Sequence, residues 1–227
     1  MMVRKSIYLS VLLILNVLFL LTPTVANAQR RPSLPKVKED SIPFFRGVAV
    51  GVDLVGPAMR WLASYGQYEG MVRVNLKDRY YPVIEVGVGQ ADKTDETTGT
   101  TFKTIAPYGR VGCDFNMLKD KHDAYRFLVG GRVGYTSFKY DVLSPGILDP
   151  IWGSQSTYGN LGNKGRQLWA ELVGGVDAKI WGPIRMGWSV RYKFRLARKM
   201  GEPWYVPGYG RSGSSQLGAT FNVLFEL

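Results

Sequence analysis

The sequence contains one cysteine, Cys113, and one histidine, His122, in 227 residues. A single cysteine excludes an intrachain disulfide, and Cys113 has no neighbouring base that would activate its thiol. His122 stands between Lys121 and Asp123, where we expect a solvated side chain in a short turn. The spacing of polar residues matches neither a metal site nor a phosphate-binding glycine loop. We therefore predict a protein that is not an enzyme and holds no cofactor or metal.

Long apolar runs are also scarce, because only the stretch from Ile7 to Leu21 is strongly apolar. Because no other stretch is long and apolar enough to span a membrane, the sequence excludes ordinary transmembrane helices after residue 21. The run follows two cations and precedes Ala26-Asn27-Ala28, which is the pattern of a secretory signal peptide. We predict three segments: a signal peptide at 1–28, a flexible periplasmic leader at 29–44, and a folded domain at 45–227. Export argues against a nucleic-acid partner, although the formal net charge is +11.

What the sequence does have is clear alternation, and the stretch from Pro183 to Leu196 shows it best. Its even positions carry apolar or aromatic side chains from Ile184 onwards, and its odd positions carry mainly cations. A period of two indicates a strand with one apolar face and one basic face. Such a strand places its apolar face against either a protein core or lipid.

Seven further stretches alternate in the same way, so we predict eight strands. The predicted connections alternate between long and short, at 57–66, 78–80, 91–101, 119–123, 141–164, 182–183 and 200–212. We expect the register to slip near Ser137, because Phe138 and Tyr140 break the alternation. We also expect Pro107 to mark a bulge or a distorted strand end, since proline donates no ladder hydrogen bond.

Two architectures fit eight strands joined by alternating long and short connections. The first is an all-β, eight-stranded antiparallel transmembrane β-barrel of a Gram-negative outer membrane, with long loops outside and short turns in the periplasm. The second is a soluble, exported barrel of lipocalin type. The regular loop asymmetry favours the membrane barrel, and so do polar faces on which both charge signs alternate with glycine. The interior of an eight-stranded barrel is just wide enough to be filled by side chains.

The candidate site is a cluster of charges that would face this interior. Its members are Arg110, Arg132, Glu171, Asp177, Arg185, Arg191, Lys193, Arg195 and Glu226. The simplest interpretation is a set of ion pairs that fills the lumen of a non-enzymatic structural or interaction protein. The alternative is a narrow pore lined by cations for small anionic solutes. An enzyme that acts on lipid is a more distant third.

The expected partners follow from the membrane interpretation. They are outer-membrane lipid and lipopolysaccharide, and an extracellular ligand or protein that would bind through the loops 141–164 and 200–212. Several aromatic side chains are expected at the membrane interfaces. They are Tyr80, Tyr81, Trp169, Trp181, Trp188 and Trp204.

Six stretches resemble the small outer-membrane β-barrel proteins of the Bacteroidota, a family described as a domain of unknown function. They are Gly51–Pro57, Arg73–Lys77, Ala106–Arg110, Asp177–Pro183, Trp188–Lys193 and Trp204–Gly210. They extend over the chain from about residue 46 onwards. The resemblance implies the fold and the location, and it implies no activity and no catalytic residue.

Overall fold

Eight long strands pair in antiparallel order and close into a ring in the computed structural model. The structure describes residues 43–120, 124–148, 155–156, 159–199, 201 and 203–227. The predicted signal peptide, nearly all of the predicted leader and His122 lie outside these residues. Pro43–Leu227 forms one compact unit.

The described residues form twelve strands and one helix. The elements in chain order are β1 (Phe45–Asp53), α1 (Val55–Leu62), β2 (Tyr65–Leu76), β3 (Tyr80–Thr94), β4 (Thr101–Asn116), β5 (Tyr125–Leu143), β6 (Ile147–Leu148), β7 (Gln155–Ser156), β8 (Gly159–Trp181), β9 (Ile184–Lys199), β10 (Tyr205–Val206), β11 (Gly210–Arg211) and β12 (Ser215–Glu226). None of the described helices is long and apolar enough to cross a membrane.

The ring runs in the order β1-β12-β9-β8-β5-β4-β3-β2 and returns to β1, while β6 with β7 and β10 with β11 form separate small hairpins. The closing pair is short, from Ala49 opposite Glu226 to Asp53 opposite Asn222. The pair β5 and β8 extends much further, from Tyr125 opposite Ala178 to Leu143 opposite Gly159. The prediction of an all-β chain with eight long antiparallel strands is confirmed.

The two faces of the strands have opposite character, and the polar face points into the ring. In β9, Arg191 is 1% exposed, whereas its neighbours Val190 and Tyr192 are 54% and 48% exposed. In β3, Glu85 is 0% exposed and Ile84 is 58% exposed. The same alternation holds in the other strands of the ring, because successive side chains leave a strand on opposite faces.

The connections differ in part from the prediction. Strands β3 and β4 continue into the predicted loop and leave only residues 95–100 between them, which is shorter than the connection 117–124. Polar pairs extend this hairpin: Lys103 lies 3.4 Å from Asp92, and the hydroxyls of Thr94 and Thr101 are 3.0 Å apart. The predicted long connection at 91–101 is therefore wrong. The ends of β3 and β4 were not recognised as strand because their outward side chains are polar rather than apolar.

Two expected irregularities take a different form in the described ladder. Strand β5 keeps its alternation through residue 140, so Phe138 and Tyr140 face the interior, and its register with β8 shifts between Tyr140 and Val142 rather than at Ser137. Strand β4 passes through Pro107 without a register shift, and its pairing with β5 resumes at Tyr108. The hydroxyl of Thr136 donates to the Pro107 carbonyl at 2.9 Å beside this gap.

Candidate functional site

The interior of the ring is the candidate site, since most of the predicted charged residues meet there. Seven cations and seven carboxylates are buried. The cations are Arg73, Arg110, Arg126, Arg132, Arg185, Arg191 and Lys193, and the carboxylates belong to Asp53, Glu69, Asp78, Glu85, Asp114, Glu171 and Asp177. The two signs balance, so the described interior carries no large net charge.

Glu85 of β3 is the centre of the middle layer. Its carboxylate lies 2.9 Å from Nε of Arg110 and 2.5 Å from Nη1 of Arg132. Arg191 donates to both of its oxygens, at 2.8 and 3.1 Å. One carboxylate therefore meets guanidinium groups from β4, β5 and β9, and it ties together strands that are not neighbours in the ring.

Two further glutamates complete this layer. Glu171 of β8 accepts from Arg110 at 3.1 Å and from the indole N–H of Trp169 at 2.7 Å. Glu69 of β2 accepts from the hydroxyl of Tyr108 at 2.6 Å and pairs with Arg110. Charge-assisted bonds of this kind are stronger than neutral ones, so the layer is a rigid plug of side chains across the ring.

The network continues towards the end of the ring where β8 turns into β9. Asp177 lies 2.8 Å from Arg185 and 2.9 Å from Arg73. Below them, Glu226 lies 2.7 Å from Arg126 and 3.7 Å from Arg185. Each of these carboxylates thus contacts two arginines from different strands.

A cavity of about 230 Å³ opens at this same end. Its walls include Arg73, Arg126 and Arg185, together with Asp78 and Tyr81. The guanidinium of Arg126 lies 5.0 Å from the centre of the Tyr81 ring. The walls of the cavity are thus polar, and they contain more cations than side-chain carboxylates.

The opposite end of the ring is closed by residues 203–210, which fold into its mouth. Tyr205, Val206 and Tyr209 are completely or almost completely buried. They pack with aromatic side chains of the strands, including Phe102 and Trp169. This inward segment, residues 203–210, is called the cap below. Burial raises the pKa of the Tyr205 and Tyr209 hydroxyls above their ordinary range.

Lys193 connects the cap to the strands. Its ammonium group donates to the carbonyls of Gly208 at 2.8 Å and Tyr209 at 3.1 Å. Gly208 has a φ of +77°, and the ring of Tyr108 lies where a side chain at this position would be. A larger residue at Gly208 would therefore be strained and would also displace Tyr108.

The structure brings together seven of the nine predicted site residues in the buried interior, and it leaves two at its margins. Glu226 is partly exposed at the cavity end, although it pairs with Arg126. Arg195 is partly exposed near the cap, because the register between β8 and β9 shifts next to it. Among the predicted cations, Arg185 pairs with Asp177 at 2.8 Å and Arg191 lies 3.8 Å from Glu171, whereas Lys193 binds backbone carbonyls.

The prediction missed the cap and misplaced three aromatic residues. Trp169 and Tyr81 are buried inside the ring and are not at an interface. Trp204 packs on Tyr65 of β2, with ring centres 5.6 Å apart. The density of aromatic residues in 204–209 was a usable signal, because a solvated loop of that composition is unfavourable.

The arrangement packs the interior of the ring and pairs its buried charges. Within the described ranges, no group of three or more potential metal ligands comes together. Six of the seven buried carboxylates lie at ion-pair distance from a guanidinium group, and the seventh, Asp53, accepts from backbone amides.

Comparison with known proteins gives one match. The family model described as Domain of unknown function (DUF6048) matches residues 6–226. No curated protein matches the chain, and no solved structure matches it.

Proposed function

We propose that this chain, which belongs to the DUF6048 family of unknown function, is a non-enzymatic β-barrel of a Gram-negative outer membrane. The observation that carries the proposal is that the ring has its apolar side chains outside and its charged side chains inside, the reverse of a soluble protein. Side chains such as Ile84, Val111 and Trp188 face outwards, while arginines and glutamates are buried. In water this exterior would be a very large apolar patch, which soluble monomers rarely expose. In lipid the same surface is favourable.

The height of the apolar exterior also supports this environment. Outward apolar or aromatic residues of β5 extend from Tyr125 to Tyr135, with glycine at 131. Ten steps of about 3.3 Å, tilted by about 40°, span about 25 Å, which is the height of the apolar band of outer-membrane barrels. The closed ring also leaves no strand edge unpaired, as a lipid environment requires.

We also propose that the lumen is sealed. The salt-bridged layer around Glu85 fills the middle of the barrel, and the cap fills one mouth. We therefore propose a structural or interaction role rather than transport. Residues 141–164 are the better candidate for contact with a ligand or protein, because much of 200–212 is folded into the barrel.

A narrow pore for small anions is the second candidate. The cavity of about 230 Å³, with Arg73, Arg126 and Arg185 in its walls, favours it. For an anion to pass, the ion pairs of the middle layer would have to separate and the cap would have to move.

Conductance separates the two functions. The refolded protein is expected to insert into planar bilayers, to show heat-modifiable gel migration and to give no regular conductance steps. A variant in which residues 203–210 are replaced by a glycine-serine linker serves as the comparison. Regular steps from the wild-type protein would overturn the sealed lumen. Failure to insert, with the protein monomeric in water without detergent, would overturn the membrane barrel.

A further inference from the structure

One group of cations lies outside the interior and has no ion pair within the part of the chain that the structure describes. Lys139 of β5, Lys164 and Arg166 of β8, and Lys199 of β9 are all exposed. None of the four forms an ion pair with any described residue. They are called the outer basic patch below.

Strand pairing places these cations directly against one another. Lys139 is the cross-strand partner of Lys164, and Arg166 is the partner of Lys199. Like charges in directly opposed positions destabilise a sheet. Two carboxylates towards the same end of the strands are engaged elsewhere: Asp92 of β3 pairs with Lys103, and Asp141 of β5 accepts from the backbone of Gly162 at 2.6 Å.

The outer basic patch lies directly beyond the apolar exterior of the barrel. The next outward row of the sheet towards the apolar belt consists of Tyr135, Leu168 and Ala197, two residues along each strand from Ser137, Arg166 and Lys199. Two residues correspond to about 7 Å along a strand. The cations therefore begin where the apolar exterior ends, on the side of the cap.

We propose that the outer basic patch binds the phosphate groups of lipid A of lipopolysaccharide in the outer leaflet. This inference depends on the proposed membrane barrel, since only then does the patch lie at headgroup height. Lysine and arginine form charge-assisted hydrogen bonds with phosphate oxygens, and an anion between opposed cations relieves their repulsion. The acyl chains of the same lipid would lie along the apolar belt below, which a free anion in solution would not contact.

The test compares two variants with the same change in charge. One carries Lys139→Gln, Lys164→Gln, Arg166→Gln and Lys199→Gln. The control carries Lys77→Gln, Arg79→Gln, Lys119→Gln and Lys179→Gln, which are exposed cations at the opposite end of the barrel. Each protein is refolded in neutral detergent micelles, its heat-modifiable migration is checked, and it is titrated with bisphosphorylated or dephosphorylated lipid A.

The wild type and the control are expected to bind the bisphosphorylated form alike. The patch variant is expected to lose about fivefold in affinity for each cation removed, and dephosphorylation is expected to weaken wild-type binding similarly. Patch-variant binding within twofold of wild type would overturn the site while leaving the barrel intact. Displacement of lipid A by equimolar inorganic phosphate would also overturn it, in favour of a free-anion site. A wild type that fails to insert into lipid would overturn both proposals.

Discussion

Replacing Glu85 by glutamine removes one charge from the centre of the barrel with little change in shape. The carboxylate lies within 2.9 Å of guanidinium nitrogens of Arg110, Arg132 and Arg191. After the substitution these three cations remain buried, and the neutral amide can satisfy only part of their hydrogen bonds. The expected result is a lower free energy of unfolding.

The magnitude follows from the remaining contacts. Breaking a buried ion pair by removing one partner costs about 3–5 kcal/mol. Each of the three arginines keeps another carboxylate, such as Asp114 at 3.0 Å from Arg132 and Glu171 at 3.1 Å from Arg110. We therefore expect the lower end of the range, about 3 kcal/mol. Combining Glu85→Gln with Arg191→Gln should destabilise by less than the sum of the two single changes, with a coupling of about 1–3 kcal/mol.

Urea unfolding of the protein refolded in lipid vesicles measures these differences. Glu96→Gln is the matched control, because Glu96 is exposed in the connection 95–100, and it should change stability by less than about 0.5 kcal/mol. A loss for Glu85→Gln no larger than that of the control would refute the claim that the ion-pair layer is a structural element. Strict additivity in the double variant would show that Glu85 and Arg191 do not interact.

Two further substitutions probe other parts of the fold. Asp53→Ala removes a buried carboxylate that accepts from backbone amides of α1 and from the amide of Phe221 at 3.1 Å. It should lower unfolding stability by about 1–3 kcal/mol and accelerate hydrogen exchange in the short seam between β1 and β12. Gly134→Ala places a methyl group against the ring of Trp169, so it should destabilise by about 1–3 kcal/mol. Gly174→Ala should be within about 0.5 kcal/mol of wild type, because nothing lies within 4 Å of the added carbon. Equal effects of the two glycine substitutions would contradict the packing described for Trp169.

Much of the ring follows from local sequence. Alternation assigns Arg185 and Arg191 to one face and Trp188 to the other, because the period of a strand is two whatever its environment. The strand count and the inward direction of the polar face could therefore be derived without coordinates. Strand ends could not, since Asp92 and Lys103 belong to strands although their outward side chains are polar.

The contacts across the interior could not be predicted either. Glu85 meets Arg132 and Arg191 because β3, β5 and β9 face one another across the ring at matching heights, which depends on the register of every intervening pair. Arg195 was expected inside, but a register shift beside Trp169 leaves it partly exposed. Phe138 breaks the polar alternation of β5 without changing face, because the interior near the cap is aromatic.

In the proposed membrane barrel, the apolar face of the ring meets lipid and the polar face does not. Tryptophan fluorescence in vesicles with brominated acyl chains tests it, using two variants that retain only Trp188 or only Trp169 and carry phenylalanine at the other tryptophan positions. Trp188 faces outwards and is 59% exposed, whereas Trp169 is buried and donates to Glu171. We expect strong quenching of Trp188 and little quenching of Trp169. Quenching of Trp169 as strong as that of Trp188, or no quenching of Trp188 in protein bound to the vesicles, would contradict it.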